Sequence, residues 1–421
     1  MKLQVSLKTK RIFWYYGALL FIMFLLMHLR PHAIPMIVRL ALTICLLFPI
    51  ITDSKFIIFA FSCIWVFNLY SFSPVLPEFR HLYLGVSIAY LVLVIRDISS
   101  IKRILLVWSY FAIICLLHGD IMERFVTMTL IGIIISSGVN EEDDLRLLTN
   151  GLIIASLCFC LLYLLNKGAF AESYGKELER SAWMNSNTFG SLVCFGSILA
   201  VGLVTRQIKI RFSKKEYILY LAAALLGLTV LIMNASRGAL FSFVGGVALF
   251  VFFSRTRTLY KVLFAIAAIV LVYLLYQNGY FELLQKRLED NVTTAGGRTD
   301  IWQAKLKAYT SFDFLDLVFG RSRLGVISIR SYEGFMSTHN DFVTALVGYG
   351  AIGLFFYLGL YAITIYKAPI NRKLSVFVLL VVFAMEGFVV EPIFRGNFMA
   401  IMYMVFIYKY ASIPLNYGKR G

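Results

Sequence analysis

The sequence predicts an all-α, polytopic integral membrane protein of 12 to 14 transmembrane helices, with both termini in the cytoplasm. Three observations carry that reading. Of the 421 residues, 60% are hydrophobic and only 15% charged, and the mean hydropathy of +0.80 lies outside the range of water-soluble domains. Apolar runs long enough to cross a bilayer recur along the chain. The basic residues collect on alternate connections between those runs, as they do on the cytoplasmic loops of membrane proteins.

A helix rises about 1.5 Å per residue and needs about 20 mainly apolar residues to cross the hydrocarbon. Such runs lie near 12–29, 34–51, 56–73, 82–95, 104–118, 125–139, 148–165, 187–205, 217–234, 238–254, 262–276, 341–366, 374–390 and 396–410. Those at 104–118 and 125–139 are only fifteen residues long, so re-entrant or tilted segments, and twelve crossings, remain open. The basic start "MKLQVSLKTKR" ahead of an apolar run has the form of a signal peptide, but no small-x-small cleavage site follows, which favours a retained first helix.

With the N-terminus inside, the alternate connections "MKLQVSLKTKR", "TDSK", "RDISSIKR", "NEEDDLR", "RQIKIRFSKKE", "RTRTLYK", "KAPINRK" and the tail hold 23 of the 40 Lys and Arg. The facing short loops before residue 148 hold one each, Arg30, Arg80 and Arg124. Only the acidic "NEEDDLR" is out of character. No segment is long and polar enough for a separate soluble domain, so residues 1–421 read as one membrane domain. The polar stretch 277–340 forms its one large extracytoplasmic loop. A net charge of +17 follows from the loop rule and gives no reason to expect nucleic-acid binding. All six Cys sit in apolar runs without metal-ligand spacing and read as small hydrophobes.

The same sidedness gathers a set of polar residues on the outer face. Arg180 lies in the loop 166–186 just before a helix starting at Asn187; Arg237 sits in the tight turn "NASRGAL"; Arg298 follows two glycines in "GGRTDIW"; His339 ends the large loop in "STHNDF"; Glu391 and Arg395 stand in "EPIFRGN" between the last two spans. A guanidinium held at the interface is costly unless it meets protein, water or a partner. Arg237 therefore reads either as an interfacial snorkel, or a partner of Glu391, or as part of an anion site exploiting the planar fork of Arg. Arg298 reads as part of a solvated connector or, through the freedom of its glycines, of an anion-binding loop. Ser337, Thr338, Asn340 and Asp341 are natural helix caps. An imidazole at the boundary is in addition suited to accept a proton near neutral pH.

The order of "ERSAWMNSNTFGS", "SRGAL", "GGRTDIW", "FGRSRLGV" and "STHNDFVTALVGYG" resembles the O-antigen ligase and O-antigen or capsule polymerase superfamily over roughly residues 175–365. The resemblance implies a GT-C-like membrane glycosyltransferase in a bacterial cytoplasmic (inner) membrane, its active site on the periplasmic face. Its donor would be an undecaprenyl-diphosphate-linked glycan and it would need no metal or other cofactor. It implies that Arg237, Arg298 and His339 are catalytic, the arginines holding the diphosphate and the His acting as base, with Arg180, Asn187 and Asn340 on the substrate. Glu391 and Arg395 join by location rather than by motif. The acceptor would be another lipid-linked repeat unit in a polymerase, the reading favoured here, or lipid A core in a ligase; a chain-length regulator protein is a further expected partner. The outward loops carry no tight DxD cluster of the kind that would chelate Mg²⁺. A non-enzymatic transporter is the third reading, and it would place broken helices or polar groups near the bilayer midplane.

Overall fold

The computed structural model describes residues 58–59, 62, 102–119, 124–165, 186–234, 236–253, 258–277, 279, 298–331, 334 and 337–415. The first four predicted spans, apart from Ile58, Phe59 and Ser62, lie outside the described residues, as do Arg180 and most of the loop holding it.

Among the described residues the fold is helical, with a single bridge between Ser331 and Gly334 as its only β pairing. Ten helices occupy the ten remaining predicted runs: α1 (Lys102–Leu117), α2 (Arg124–Gly138), α3 (Glu142–Leu165), α4 (Ser186–Val204), α5 (Lys214–Met233), α6 (Arg237–Phe253), α7 (Thr258–Gln277), α11 (Asp341–Lys367), α12 (Ile370–Val389) and α13 (Phe398–Ser412). Between α7 and α11 the large polar loop folds three further helices, α8 (Arg298–Thr310), α9 (Phe314–Phe319) and α10 (Ser322–Ser328). Four stretches combine the length and apolar composition of a crossing helix, Glu142–Leu161, Asn187–Val204, Lys214–Met233 and Asp341–Lys367; α1, α2, α6 and α13 are apolar but shorter.

α4 is the centre of the bundle and packs against α3, α5 and α6, while α12 lies between α6, α11 and α13. In lipid there is no hydrophobic force to drive apolar helices together, so close backbone approach at small residues does much of that work. Gly227 of α5 is one such contact: a Cβ there would lie 1.8 Å from Ser197 Oγ of α4.

One end of the bundle is stitched by polar contacts among the connections assigned to the inner face. Arg146 and Glu216 form a two-point ion pair, Nε to Oε1 at 2.7 Å. Asn150 donates to the same Oε1 at 2.9 Å, and Ser213 and Glu216 make a reciprocal cap at the start of α5. The acidic run that departs from the charge rule finds its explanation here. Asp144 Oδ2 accepts from the Asn140 and Glu141 N–H groups at 3.1 Å, and Glu142 Oε1 accepts from Arg211 N at 3.0 Å. At this same end Ser375 Oγ donates to Gln207 O and Lys367 Nζ to Tyr408 Oη. The loops at 139–146, 205–214, 367–375 and 408–412 thus share one end.

The predicted single run 341–366 is broken. Gly350 has φ 69° and ψ −174°, a conformation open to almost no other residue, and the chain doubles back there. Tyr357 Oη consequently lies 3.2 Å from Asp341 Oδ2, although sixteen residues of continuous helix would separate them by about 24 Å. α9 fills the angle of the break: a Cβ on Gly320 would lie 2.5 Å from Gly350 N, and Tyr110 Oη of α1 donates to the Tyr349 carbonyl at 2.6 Å. The second arm runs antiparallel to α12, with Tyr361 against Phe383 and Tyr357 against Gly387. Gly350 therefore lies about 10 Å beyond the Gly387 level, past the end of α12 rather than halfway down it.

Candidate functional site

The opposite end of the bundle carries the polar cluster, and its centre is the turn into α11. Asn340 is the N-cap, its Oδ1 accepting from Phe342 N at 2.9 Å and Val343 N at 3.1 Å. His339 before it has φ 53°, a left-handed conformation that a residue other than Gly holds only when its surroundings fix it. Three contacts do so. Trp302 Nε1 of α8 donates to the Thr338 carbonyl at 2.7 Å, Thr338 Oγ1 accepts from Asn340 N at 3.0 Å, and Ser337 Oγ accepts from Arg395 Nη2 at 2.6 Å.

Asp341, the first residue of the helix, is buried and reaches across to the last interhelical turn. Its carboxylate accepts from Ile393 N and Phe394 N, each at 3.2 Å, and so docks the Glu391–Arg395 segment against the start of α11. Glu391 is likewise buried, with φ 60°. Its Oε1 accepts from Thr344 Oγ1 at 2.7 Å and lies 3.4 Å from Arg323 Nε, while its Oε2 is 3.5 Å from Arg395 Nε. One carboxylate thereby holds two guanidiniums from different parts of the chain.

Arg395 continues to the imidazole: its Nη2 is 2.9 Å from His339 Nδ1 and 3.2 Å from Nε2. Burial, and then the charges of Arg395, Arg298 and Arg323, push the His339 pKa down to about 3, so the ring is neutral. Arg298 begins α8 and acts on both His339 and the buried Glu386 of α12, which accepts a hydrogen bond from Ser191 Oγ of α4. α8 and α10 are tied together by Lys305, whose buried Nζ donates to the carbonyls of Val326, at 2.6 Å, and Ile329. Burial lowers the Lys305 pKa to about 8 against the opposing pull of Glu391.

Arg237 begins α6 beside the last turn of α12: a Cβ on the next residue, Gly238, would lie 2.5 Å from Val389 Cγ1. Asn187, near the start of α4, accepts from Ser236 Oγ at 3.4 Å and so adjoins the Arg237 turn. An apolar groove of about 400 Å³ starts at Gly238 and runs between α6 and α12, lined by Phe241, Phe342, Met385, Phe388 and Val389. Of the residues singled out in the sequence, Arg298, His339, Glu391 and Arg395 form one connected cluster. Asn340 caps the adjoining helix, Arg237 and Asn187 occupy the neighbouring corner, and Arg180 lies outside the described residues.

Sequence reasoning passed over Arg323 and the tertiary importance of Glu391. Arg323 stands in "FGRSRLGV", a stretch noticed only as part of a resemblance. The E-x-x-x-R spacing of Glu391 and Arg395 was the one local signal of their pairing.

Residues 222–358 match the family model described as O-Antigen ligase. The match is narrower than the resemblance read from the sequence. It contains Arg237, Arg298, Arg323 and His339 and ends before Glu391 and Arg395. No curated protein matches the chain significantly.

Proposed function

We propose that this chain, a helical membrane protein whose residues 222–358 belong with the O-antigen ligase family, is a glycosyltransferase that polymerises a surface polysaccharide. In this reading it transfers a glycan from undecaprenyl diphosphate onto the non-reducing end of another lipid-linked repeat unit, on the outer side of a bacterial cytoplasmic membrane. The single observation that carries it is the His339 imidazole in contact with the Arg395 guanidinium, with Arg323 held beside it on the same Glu391 carboxylate.

That arrangement suits the chemistry. The acceptor hydroxyl oxygen attacks the anomeric carbon and a new C–O bond forms. The bond from that carbon to the diphosphate oxygen breaks, its electron pair leaving with the lipid diphosphate. The hydroxyl proton passes to His339. Negative charge grows on the leaving group in the transition state, so guanidiniums placed beforehand bind that state more tightly than the ground state. Arginines supply the charge neutralisation, so the reaction is read as metal-independent, and displacement in one step inverts the anomeric centre. The apolar groove between α6 and α12 begins at Gly238, the residue after Arg237. An isoprenoid chain lying there would bring its diphosphate to the arginine end.

The second reading is ligation of the glycan to lipid A core, with which the family description is equally compatible. The break at Gly350 lies beyond the end of α12 instead of midway along it, which counts against an alternating-access transporter.

Reconstituted protein given one synthetic lipid-diphosphate repeat unit, in EDTA, tests all three. A ladder of products is expected. Reaction only after lipid A core is added would replace the polymerase with the ligase. Movement of the lipid across the vesicle without a new glycosidic bond would overturn the enzymatic reading.

A further inference from the structure

His339 is assigned above as the proton acceptor, yet in the structure its ring already has a partner. Arginine donates and never accepts, so of the two ring nitrogens near Arg395 Nη2, Nδ1 at 2.9 Å and Nε2 at 3.2 Å, the one without the proton presents its lone pair to that guanidinium. The same Nη2 is held by Ser337 Oγ, and Nε of the same side chain by Glu391, so two further contacts fix the guanidinium against the ring.

The groups around the ring are predominantly cationic: Arg395 from the last interhelical turn, Arg298 from α8 and Arg323 from α10. The nearest carboxylate, Glu391, is spent on Arg323 and Arg395, Lys305 adds a further amine beside it, and Glu386 lies under Arg298. Moving a proton onto His339 would place an imidazolium among three guanidiniums.

We propose that Arg395 is a latch on the general base: it occupies the accepting nitrogen of the His339 ring in the empty site and is drawn to the donor's diphosphate when that anion binds, so that His339 accepts a proton only from an acceptor arriving after the donor. The idea rests on the functional reading above and gives it an order of events. An anion brought among Arg298, Arg323 and Arg395 offers the forked guanidinium a stronger partner than a neutral ring nitrogen. It also supplies the negative charge that an imidazolium there would need.

The experiment uses the full-length protein in nanodiscs with ¹³C-labelled histidine, the His339 resonance being identified by its loss in His339→Gln. Its pH titration is recorded in the empty protein, and with glycan-free undecaprenyl diphosphate, whose binding is followed by its ³¹P signal. The His339 midpoint is expected to rise by about two pH units when the diphosphate binds. Arg395→Gln should raise the midpoint in the empty protein and shrink the further rise on binding. Arg395→Lys, which keeps the charge but not the two-point reach, serves if the Gln variant does not fold, and should give a smaller rise. Diphosphate that binds without moving His339 would overturn the latch and leave the proposed function standing. Failure of the diphosphate to bind at all would overturn both.

Discussion

At His339 the environment decides what a titratable side chain can do. Burial and three neighbouring guanidiniums hold the imidazole neutral down to about pH 3. A histidine whose folded pKa lies below its unfolded value costs the fold stability as pH falls below about 6.5, because the unfolded chain takes up the proton, while the native ring itself stays unprotonated in the free enzyme. kcat/KM, which reports the free enzyme, should therefore stay level as pH drops from 7 to 5. kcat, which reports the donor-bound enzyme, should turn down toward a midpoint of about pH 5, because the bound anion raises the pKa by about two units. Parallel acid limbs for the two parameters would refute this. His339→Ala removes the proton acceptor and should lower kcat by roughly 10² to 10⁴-fold. Arg298→Ala removes a preorganised charge and should lower it by roughly 10² to 10³-fold. Both are read as product length from purified protein, with yield and melting temperature unchanged.

Among the elements, the short helices of the polar loop set the geometry of the site. α8 brings Arg298 and, one turn later, Trp302, whose N–H fixes the carbonyl before His339. Trp302→Phe keeps the ring against Phe388 and gives up only that hydrogen bond. A net bond energy of about 1 kcal/mol corresponds to roughly a five-fold fall in kcat with little change in melting temperature. No loss of kcat would mean the turn is held without it. Gly350 makes the opposite case. Its backbone angles and the Val318 carbonyl 2.2 Å from any added Cβ leave no room for a side chain. Gly350→Ala should destabilise the fold by about 1 to 3 kcal/mol, seen as a lower melting temperature in detergent.

The whole molecule separates its polar work onto two ends. One end is tied by Arg146, Glu216, Asn150 and the loops around Gln207 and Ser375. The other carries His339, Glu391 and the arginines. Inserting cysteines one at a time into a Cys-free background tests which end is outside. A membrane-impermeant maleimide applied to intact cells should label a cysteine at position 337 and spare one at 371. The reverse pattern would put the site on the cytoplasmic side and end the polysaccharide reading.

Hydropathy was enough to locate ten helices within a few residues, because the need to satisfy every backbone group inside lipid allows an apolar run of that length little choice but helix. The alternation of Lys and Arg foretold which connections share an end. Local spacing also put Asn340 among four candidate caps, and it is the one that caps α11. The tertiary structure alone decided that α11 folds back at Gly350, that Asp341 docks the Glu391–Arg395 turn, and that Arg323 joins the site. Those outcomes depend on contacts between residues tens of positions apart, and periodicity along a chain holds no record of which distant side chain will meet a buried carboxylate.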